Sequence, residues 1–220
     1  MKVCTDACIF GAFVPVGSKQ RILDIGAGTG VLSLMLAQRT PASIDAVEIE
    51  EHAFQQASEN VAASKFHQQI RVYHQDIATF KSVDPYDLII CNPPFYVDCS
   101  PSLDKKSRVA RHSTTLDWET LVRAVVRLLA RDGVFYVMLP LSRQRTLFED
   151  AARAGFGAVE CVHLTHDQAS APHRLIAGFS QQPPLKHQVG PIVITIKGPK
   201  PNALYTPQTL QLLSPYYASL

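Results

Sequence analysis

Arg21-Ile22-Leu23-Asp24-Ile25-Gly26-Ala27-Gly28-Thr29-Gly30 is a short apolar strand that runs straight into a glycine loop. A helical pattern follows at once, with apolar residues at Val31, Leu32, Leu34, Met35, Leu36 and Ala37 and stop signals at Arg39 and Pro41. Glycines at 26, 28 and 30 let the backbone turn tightly and approach a ligand with no Cβ in the way. Residues 44–48 then read as a second strand ending in Glu48, about where a nucleotide-binding βαβ unit places an acid for ribose hydroxyls. Residues 70–74 read as a third strand ending near Asp76. Three acids thus fall at or just past the carboxyl ends of three strands, the edge of an open α/β sheet where ligands bind.

The glycine spacing is GxGxG, not the GxGxxG that brings a helix N-terminus up to a pyrophosphate, and Asp24 stands just before it. A carboxylate there repels a diphosphate but suits a cofactor carrying ammonium or sulfonium charge. The pattern favours S-adenosylmethionine over a dinucleotide. Asp24 itself has two readings, fixing the loop or touching the ligand, and the sequence leaves both open.

A second stretch, Asn92-Pro93-Pro94-Phe95, directly follows the apolar run Leu88-Ile89-Ile90-Cys91. The Asn side-chain oxygen and a carbonyl held by two successive prolines can both accept from one NH2 group. Phe95 offers a flat apolar face on which a nucleobase or a planar amide can lie. The lone pair of an aromatic amine is spread into its ring, so two acceptors aimed at its hydrogens favour the pyramidal, more nucleophilic form. Taken alone, Asn-Pro-Pro fits a turn after a strand as well as it fits a site; the glycine loop upstream breaks that tie.

Asp24 to Gly30, Glu48, Asp76 and Asn92 to Phe95 resemble, in this order, the motifs of class I S-adenosylmethionine-dependent methyltransferases of the amino-methylating branch. Three further stretches resemble the bacterial tRNA1(Val) adenine-37 N6-methyltransferase family: Met1-Lys2-Val3-Cys4-Thr5-Asp6, Ala110-Arg111-His112-Ser113-Thr114-Thr115-Leu116-Asp117, and Pro172-His173-Arg174-Leu175 with the late Ile196-Lys197-Gly198-Pro199. The resemblance implies a Rossmann-like, seven-stranded sheet, mostly parallel with an antiparallel strand near one edge. For S-adenosylmethionine, it implies that Gly26, Ala27, Gly28 and Gly30 hold the methionine part, Glu48 the ribose and Asp76 the adenine amino group, with Asn92 alongside. Lys2 and Thr5 are expected near the methionine end. Asn92, Pro93, Pro94 and Phe95 are the catalytic candidates, and Tyr96 and Arg111 further candidates for substrate contact. Family members start upstream of the Lys-Val-x-Thr-Asp segment, so an amino-terminal piece is expected to be missing before Met1.

The chain has 220 residues with 46% hydrophobic content, enough for one well-buried domain over its whole length. No apolar run approaches the ~20 residues that span a bilayer, and the start lacks a signal-peptide pattern, so a cytoplasmic location is expected. Five cysteines without a CxxC pair argue for reduced thiols and against a zinc knuckle. His163 and His166, read within one strand, project to opposite faces, so no metal site is expected.

The net charge of +2 is unevenly spread. Residues 168–220 carry Arg174, Lys186, Lys197 and Lys200 with no acid, hence +4, which leaves −2 for the rest. A second cluster, Lys105, Lys106, Arg108 and Arg111, follows the NPPF stretch and is a candidate contact for RNA phosphates. Arg123, Arg127 and Arg131, at i, i+4 and i+8, read instead as the solvated face of a helix over residues 116–131 closed by Asp132-Gly133. Further helices are expected over 51–64 and 142–154, and strands over 134–139, 158–164 and 173–179, with 192–197 as a possible added edge strand. Residues 181–190 and 198–207 read as loops, and 96–114 as a loop that closes over substrate.

The expected reaction is methyl transfer from S-adenosylmethionine to N6 of an adenine in tRNA, by a monomer or weak homodimer that needs no metal and no membrane. Protein-glutamine N5-methyltransferases and guanine-N2 rRNA methyltransferases carry the same NPP-aromatic loop and remain the rivals. The Ala110 to Asp117 stretch and the basic tail favour RNA.

Overall fold

The computed structural model describes residues 4–93, 116–182, 190–198 and 205–217. Eight strands form one sheet: β1 (Arg21–Ile25), β2 (Ser43–Glu48), β3 (Ile70–His74), β4 (Tyr86–Cys91), β5 (Leu129–Pro140), β6 (Gly157–Thr165), β7 (Arg174–Ser180) and β8 (Ile192–Thr195). Their order is β3-β2-β1-β4-β5-β7-β6-β8, with β7 antiparallel to both neighbours and every other pairing parallel. The sheet therefore has eight strands where seven were expected, because the 192–197 segment adds β8 alongside β6.

Burial follows the two-residue strand period. On β4, Leu88 and Ile90 face one core while Ile89 and Cys91 face the other. The first core lies under α1 (Thr5–Phe13), α2 (Val31–Ala37) and α6 (Pro207–Leu213), and it also takes Val61 from α3 (Glu51–Ala62). The second lies under α4 (Trp118–Leu128) and α5 (Gln144–Arg153). An apolar cleft in this second layer, lined by Trp118, Val125, Phe135, Phe156 and Phe179, sits toward the amino edge of the sheet, away from the glycine loop.

Two helices have no counterpart in the expected elements. Residues 7–12 of α1 are all buried, so the segment is apolar around its whole circumference and shows no 3.6-residue stripe to read. Helix α6 begins with Pro207 behind the N-cap Thr206, whose side chain accepts from Thr209 N, within a stretch read as loop up to Pro207. The expected helix end at Asp132-Gly133 is also corrected, since α4 stops at Leu128 and β5 begins at Leu129. Between the pairs Tyr86↔Leu129 and Leu88↔Val134, β4 advances two residues while β5 advances five. Asp132 and Gly133 lie in that bulge, where a turn signature serves a strand irregularity.

Candidate active site

The glycine loop turns its N–H groups inward. Gly26 N and Ala27 N donate to Val47 O at 2.8 and 3.2 Å, Gly28 N to Glu48 Oε2 at 2.8 Å, and Gly30 N to Ala27 O at 2.9 Å. The backbone reaches this arrangement through φ of +69° at Gly26, +59° at Gly28 and +78° at Gly30, values that exact strain from any residue with a Cβ. A Cβ on Gly26 would meet nothing within 4 Å, so the space beside the loop there is open. With those N–H groups spent internally, the loop does not offer the row of free donors that a diphosphate needs.

Two buried carboxylates stand on either side of the loop. Glu48, 8% exposed, accepts from Gly28 N with Oε2 and from Ile49 N and Glu50 N with Oε1, the last two at 2.9 Å. Asp24 is fully buried and accepts from Ser33 Oγ at 2.7 Å, while its buried Oδ1 has no partner among the described residues. Burial pushes its carboxyl up to about 6, the Ser33 bonds pull the other way, and the Glu48 charge adds a smaller upward push. Asp24 thus ties β1 to α2 and still keeps an unsatisfied acceptor. The thiol of Cys91, one strand over and paired with Ile25, lies well above the ordinary thiol range, first through burial and then through the charges of Asp24 and Glu48.

On the far side of β2, Asp76 is exposed and accepts from Ala78 N with Oδ1, while its carbonyl accepts from Thr79 N and Phe80 N. Beside it Ile49, 45% exposed, presents an apolar side chain directly after Glu48. His74 braces this corner, stacking on Phe54 with ring centroids 5.0 Å apart and bonding Ile49 O at 3.0 Å. Ile49 went unread in the sequence, although an apolar residue between two acids at a strand end was visible there. Arg127 corrects the solvated-face reading: it donates to Ile77 O, Ala78 O and Phe80 O, and so clamps the turn that follows Asp76. Of its two companions, Arg123 pairs with Glu119 along the helix, as a solvated face does, whereas Arg131 lies in β5 and not on α4.

Asn92 is half-buried and Pro93 buried at the tip of β4, just past the pairing of Cys91 with Ile25. From Asp76 through Glu48 and the glycine loop to Asn92, the candidates follow the order β3-β2-β1-β4 along one edge. Three strand spacings put its two ends roughly 14 Å apart. Thr5 opens α1. Lys2, Pro94, Phe95, Tyr96, Lys105, Lys106, Arg108 and Arg111 lie outside the described residues, as does the 96–114 loop. The fit to a sulfonium-bearing nucleoside is good on this chain's own terms: open space beside Gly26, an unsatisfied buried acceptor at Asp24, and a carboxylate at the end of β2.

Residues 9–163 match the family model described as Methyltransferase small domain. Among solved structures, a predicted O-methyltransferase from Agrobacterium tumefaciens superposes with TM-score 0.72 at 15% identity, covering 94% of this chain and 95% of its own. A putative RNA methyltransferase from Pyrococcus horikoshii does so with TM-score 0.55 at 20% identity, covering 80% of each. These two establish the fold. Among curated relatives, a tRNA1(Val) (adenine(37)-N6)-methyltransferase of Dyadobacter fermentans is 46% identical over 82% of this chain and 76% of its own length. Proteins of the same name from Escherichia coli O157:H7 and Parabacteroides distasonis are 40% and 35% identical, covering 83% and 90% of this chain and 76% and 84% of their own. With that identity spread over most of both chains, the protein belongs to the tRNA1(Val) (adenine(37)-N6)-methyltransferase family.

Proposed function

We propose that the protein methylates N6 of adenine 37 in tRNA1(Val), with S-adenosylmethionine as methyl donor. The observation that carries this reading is Asn92-Pro93 at the tip of β4, beside the glycine loop of β1, in a chain 46% identical to a relative of that name. Glu48 would take the ribose hydroxyls. Its carboxylate has about four lone-pair sites, and three backbone N–H groups use them, so a ribose diol takes what remains and competes with Gly28 N–H. Asp76 would accept from the adenine amino group over the apolar side chain of Ile49, and Asp24 would face the charged methionine end together with Lys2 and Thr5. When bound, this cofactor supplies an electrophilic methyl on a positively charged sulfur.

The chain's own residues do the rest. The Asn92 side-chain oxygen and the Pro93 carbonyl accept from N6 and direct its lone pair, and Phe95 stacks on the adenine once it has left its neighbours. No strong base is required, because the N6 proton becomes acidic only after transfer and can leave to water. Orientation and fixed dipoles therefore carry most of the rate. Lys105, Lys106, Arg108 and Arg111 would hold RNA phosphates, and Tyr96 would flank the base. Residues 1–220 form one methyltransferase domain acting in the cytoplasm as a monomer or weak homodimer; no helix among the described residues is long and apolar enough to cross a membrane.

The test is incubation with labelled S-adenosylmethionine and separate pools of unmodified tRNA, rRNA and release factor, followed by digestion of the labelled product. N6-methyladenosine from tRNA is the expected outcome. N5-methylglutamine or N2-methylguanosine would select one of the two rival enzymes.

A further inference from the structure

Three residues of the two late family stretches, His173, Arg174 and Lys197, meet Asp6 and His166 at the same edge of the sheet, on its other half. The imidazoles of His166 and His173 stack with centroids 3.9 Å apart and planes 9° from parallel. His173 is the inner ring, its side chain 24% exposed and bonded through Nε2 to Asp6 Oδ2 at 3.2 Å; Arg174 Nε reaches the same oxygen at 3.3 Å. His166 is the outer ring and exposed. Its carbonyl accepts from Lys197 N at 2.8 Å, which brings the exposed Lys197 alongside.

We propose that the outer face of His166 is a stacking platform for an unpaired nucleobase that flanks the methylated adenine, with Lys197 and Arg174 at its rim toward the phosphate. This rests on the tRNA reading above. Three observations carry it. First, sequence-tolerant recognition of single-stranded RNA uses flat side chains, imidazole included, on which splayed bases lie. Second, the ring is held ready: His173 fixes the plane of His166, and Asp6 on α1 fixes His173, so little order is lost when a base arrives.

Third, the platform is at the right place. Arg174 pairs with Pro140, three residues beyond the Val137 that pairs with Cys91, and so stands further toward the carboxyl edge than the end of β4. Two strand spacings, roughly 10 Å, separate β4 from β7, whose His173 carries the stacked ring of His166, a gap that neighbouring bases cross when they are splayed out of their stack. A purely structural latch between α1 and β7 accounts for Asp6, His173 and Arg174. It gives no reason for a second ring laid flat on the solvent side.

Among the described residues, the fixed charges around the stack are Asp6 from α1, Asp167 from the β6–β7 hairpin, Arg174 from β7 and Lys197 after β8, two of each sign. Charge alone therefore does not make this an RNA site, and the ring face is the feature to test. The variants are His166→Ala, which removes the platform, and His166→Phe, which keeps a flat ring without the imidazole.

The measurements are steady-state kinetics on unmodified tRNA1(Val) transcript and the fluorescence of 2-aminopurine placed next to adenine 37. Stacking on the ring quenches the probe in the wild type and in His166→Phe but not in His166→Ala. His166→Ala raises KM for tRNA about 10-fold, with kcat at saturating tRNA and KM for S-adenosylmethionine unchanged, and His166→Phe stays within about 3-fold of wild type. Equal KM and equal quenching in wild type and His166→Ala overturn the platform, as does a KM for the cofactor that rises together with that for tRNA. Failure of the wild type to methylate tRNA would instead remove the parent reading.

Discussion

The two halves of the sheet's carboxyl edge are built in opposite ways. On the β3-β2-β1 side, the polar groups are tied to backbone of the same or the neighbouring strand end: Glu48 to Gly28, Ile49 and Glu50, Asp76 to Ala78, and the glycine-loop N–H groups to Val47 and Ala27. On the β7-β6-β8 side, the cluster joins Asp6, His166, His173, Arg174 and Lys197, the first of which is 167 residues from His173. The first half is preformed, and on the proposed reading it is the frame for the cofactor. The second is a surface whose shape depends on how α1 docks against β7. Asn92 stands between them, at the tip of β4.

That contrast breaks most visibly at Asn92. Replacing it by Ala should lower kcat about 100- to 1000-fold, the scale of losing one preorganised polar contact to a reacting group, while calorimetry shows nearly unchanged cofactor affinity. A parallel loss of cofactor affinity would put Asn92 in the cofactor frame. Glu48→Ala should do the reverse, weakening the cofactor about 10- to 100-fold by calorimetry. It should also cost stability on the order of 2 kcal/mol, because three buried or half-buried N–H groups lose their acceptor.

Asp24 offers a pH test of the same frame. Its folded carboxyl is pushed up to about 6, chiefly by burial, so its contribution is most favourable below about pH 4 and is lost as pH rises through about 6. Asp24→Asn should therefore flatten the stability profile between those limits by on the order of 3 kcal/mol, readable from urea midpoints at a series of pH values. In the wild type, cofactor affinity should strengthen as pH rises through about 6, because only the ionised carboxylate complements a sulfonium or ammonium, and Asp24→Asn should lose that dependence. A wild-type affinity that is flat across the window would leave Asp24 with the Ser33 tie alone.

Arg127→Ala should give the smallest effect. Cofactor affinity should fall several-fold as the turn after Asp76 loosens, with kcat at saturation unchanged, and Arg127→Lys should restore only part of it, since one ammonium cannot serve three carbonyls in fixed fork geometry. Unchanged affinity in Arg127→Ala would separate this clamp from the cofactor site.

Legibility in the sequence divides along the same line. The strand, loop, helix and acid of residues 21–48 could be read because each step rests on neighbours: a period of two, glycines that release φ, a period of 3.6, then a strand ending in Glu48. Helix α1 could not, because it is buried on all sides and carries no stripe. Arg127 was misread because periodicity gave its helix face correctly but not the carbonyls waiting across from that face. His163 and His166 were expected within one strand, but β6 ends at Thr165: His163 Nε2 meets Gln144 Oε1 at 2.8 Å, while His166 lies past the strand end and pairs across the hairpin with His173.

Local chain chemistry by itself therefore determined the doubly wound βαβ core, the glycine loop and the Asn-Pro-Pro-Phe motif that marks an amino-methylating branch. Those features are encoded within about ten residues, where backbone sterics and side-chain period act directly. Tertiary structure alone decided that Asp24 keeps a buried oxygen with no partner among the described residues, that Arg127 clamps the Asp76 turn, and that two histidines seven residues apart in sequence lie ring on ring beside Asp6. Each of these depends on desolvation or on contact between elements distant in the chain, and those are set only when the sheet and its helices have packed.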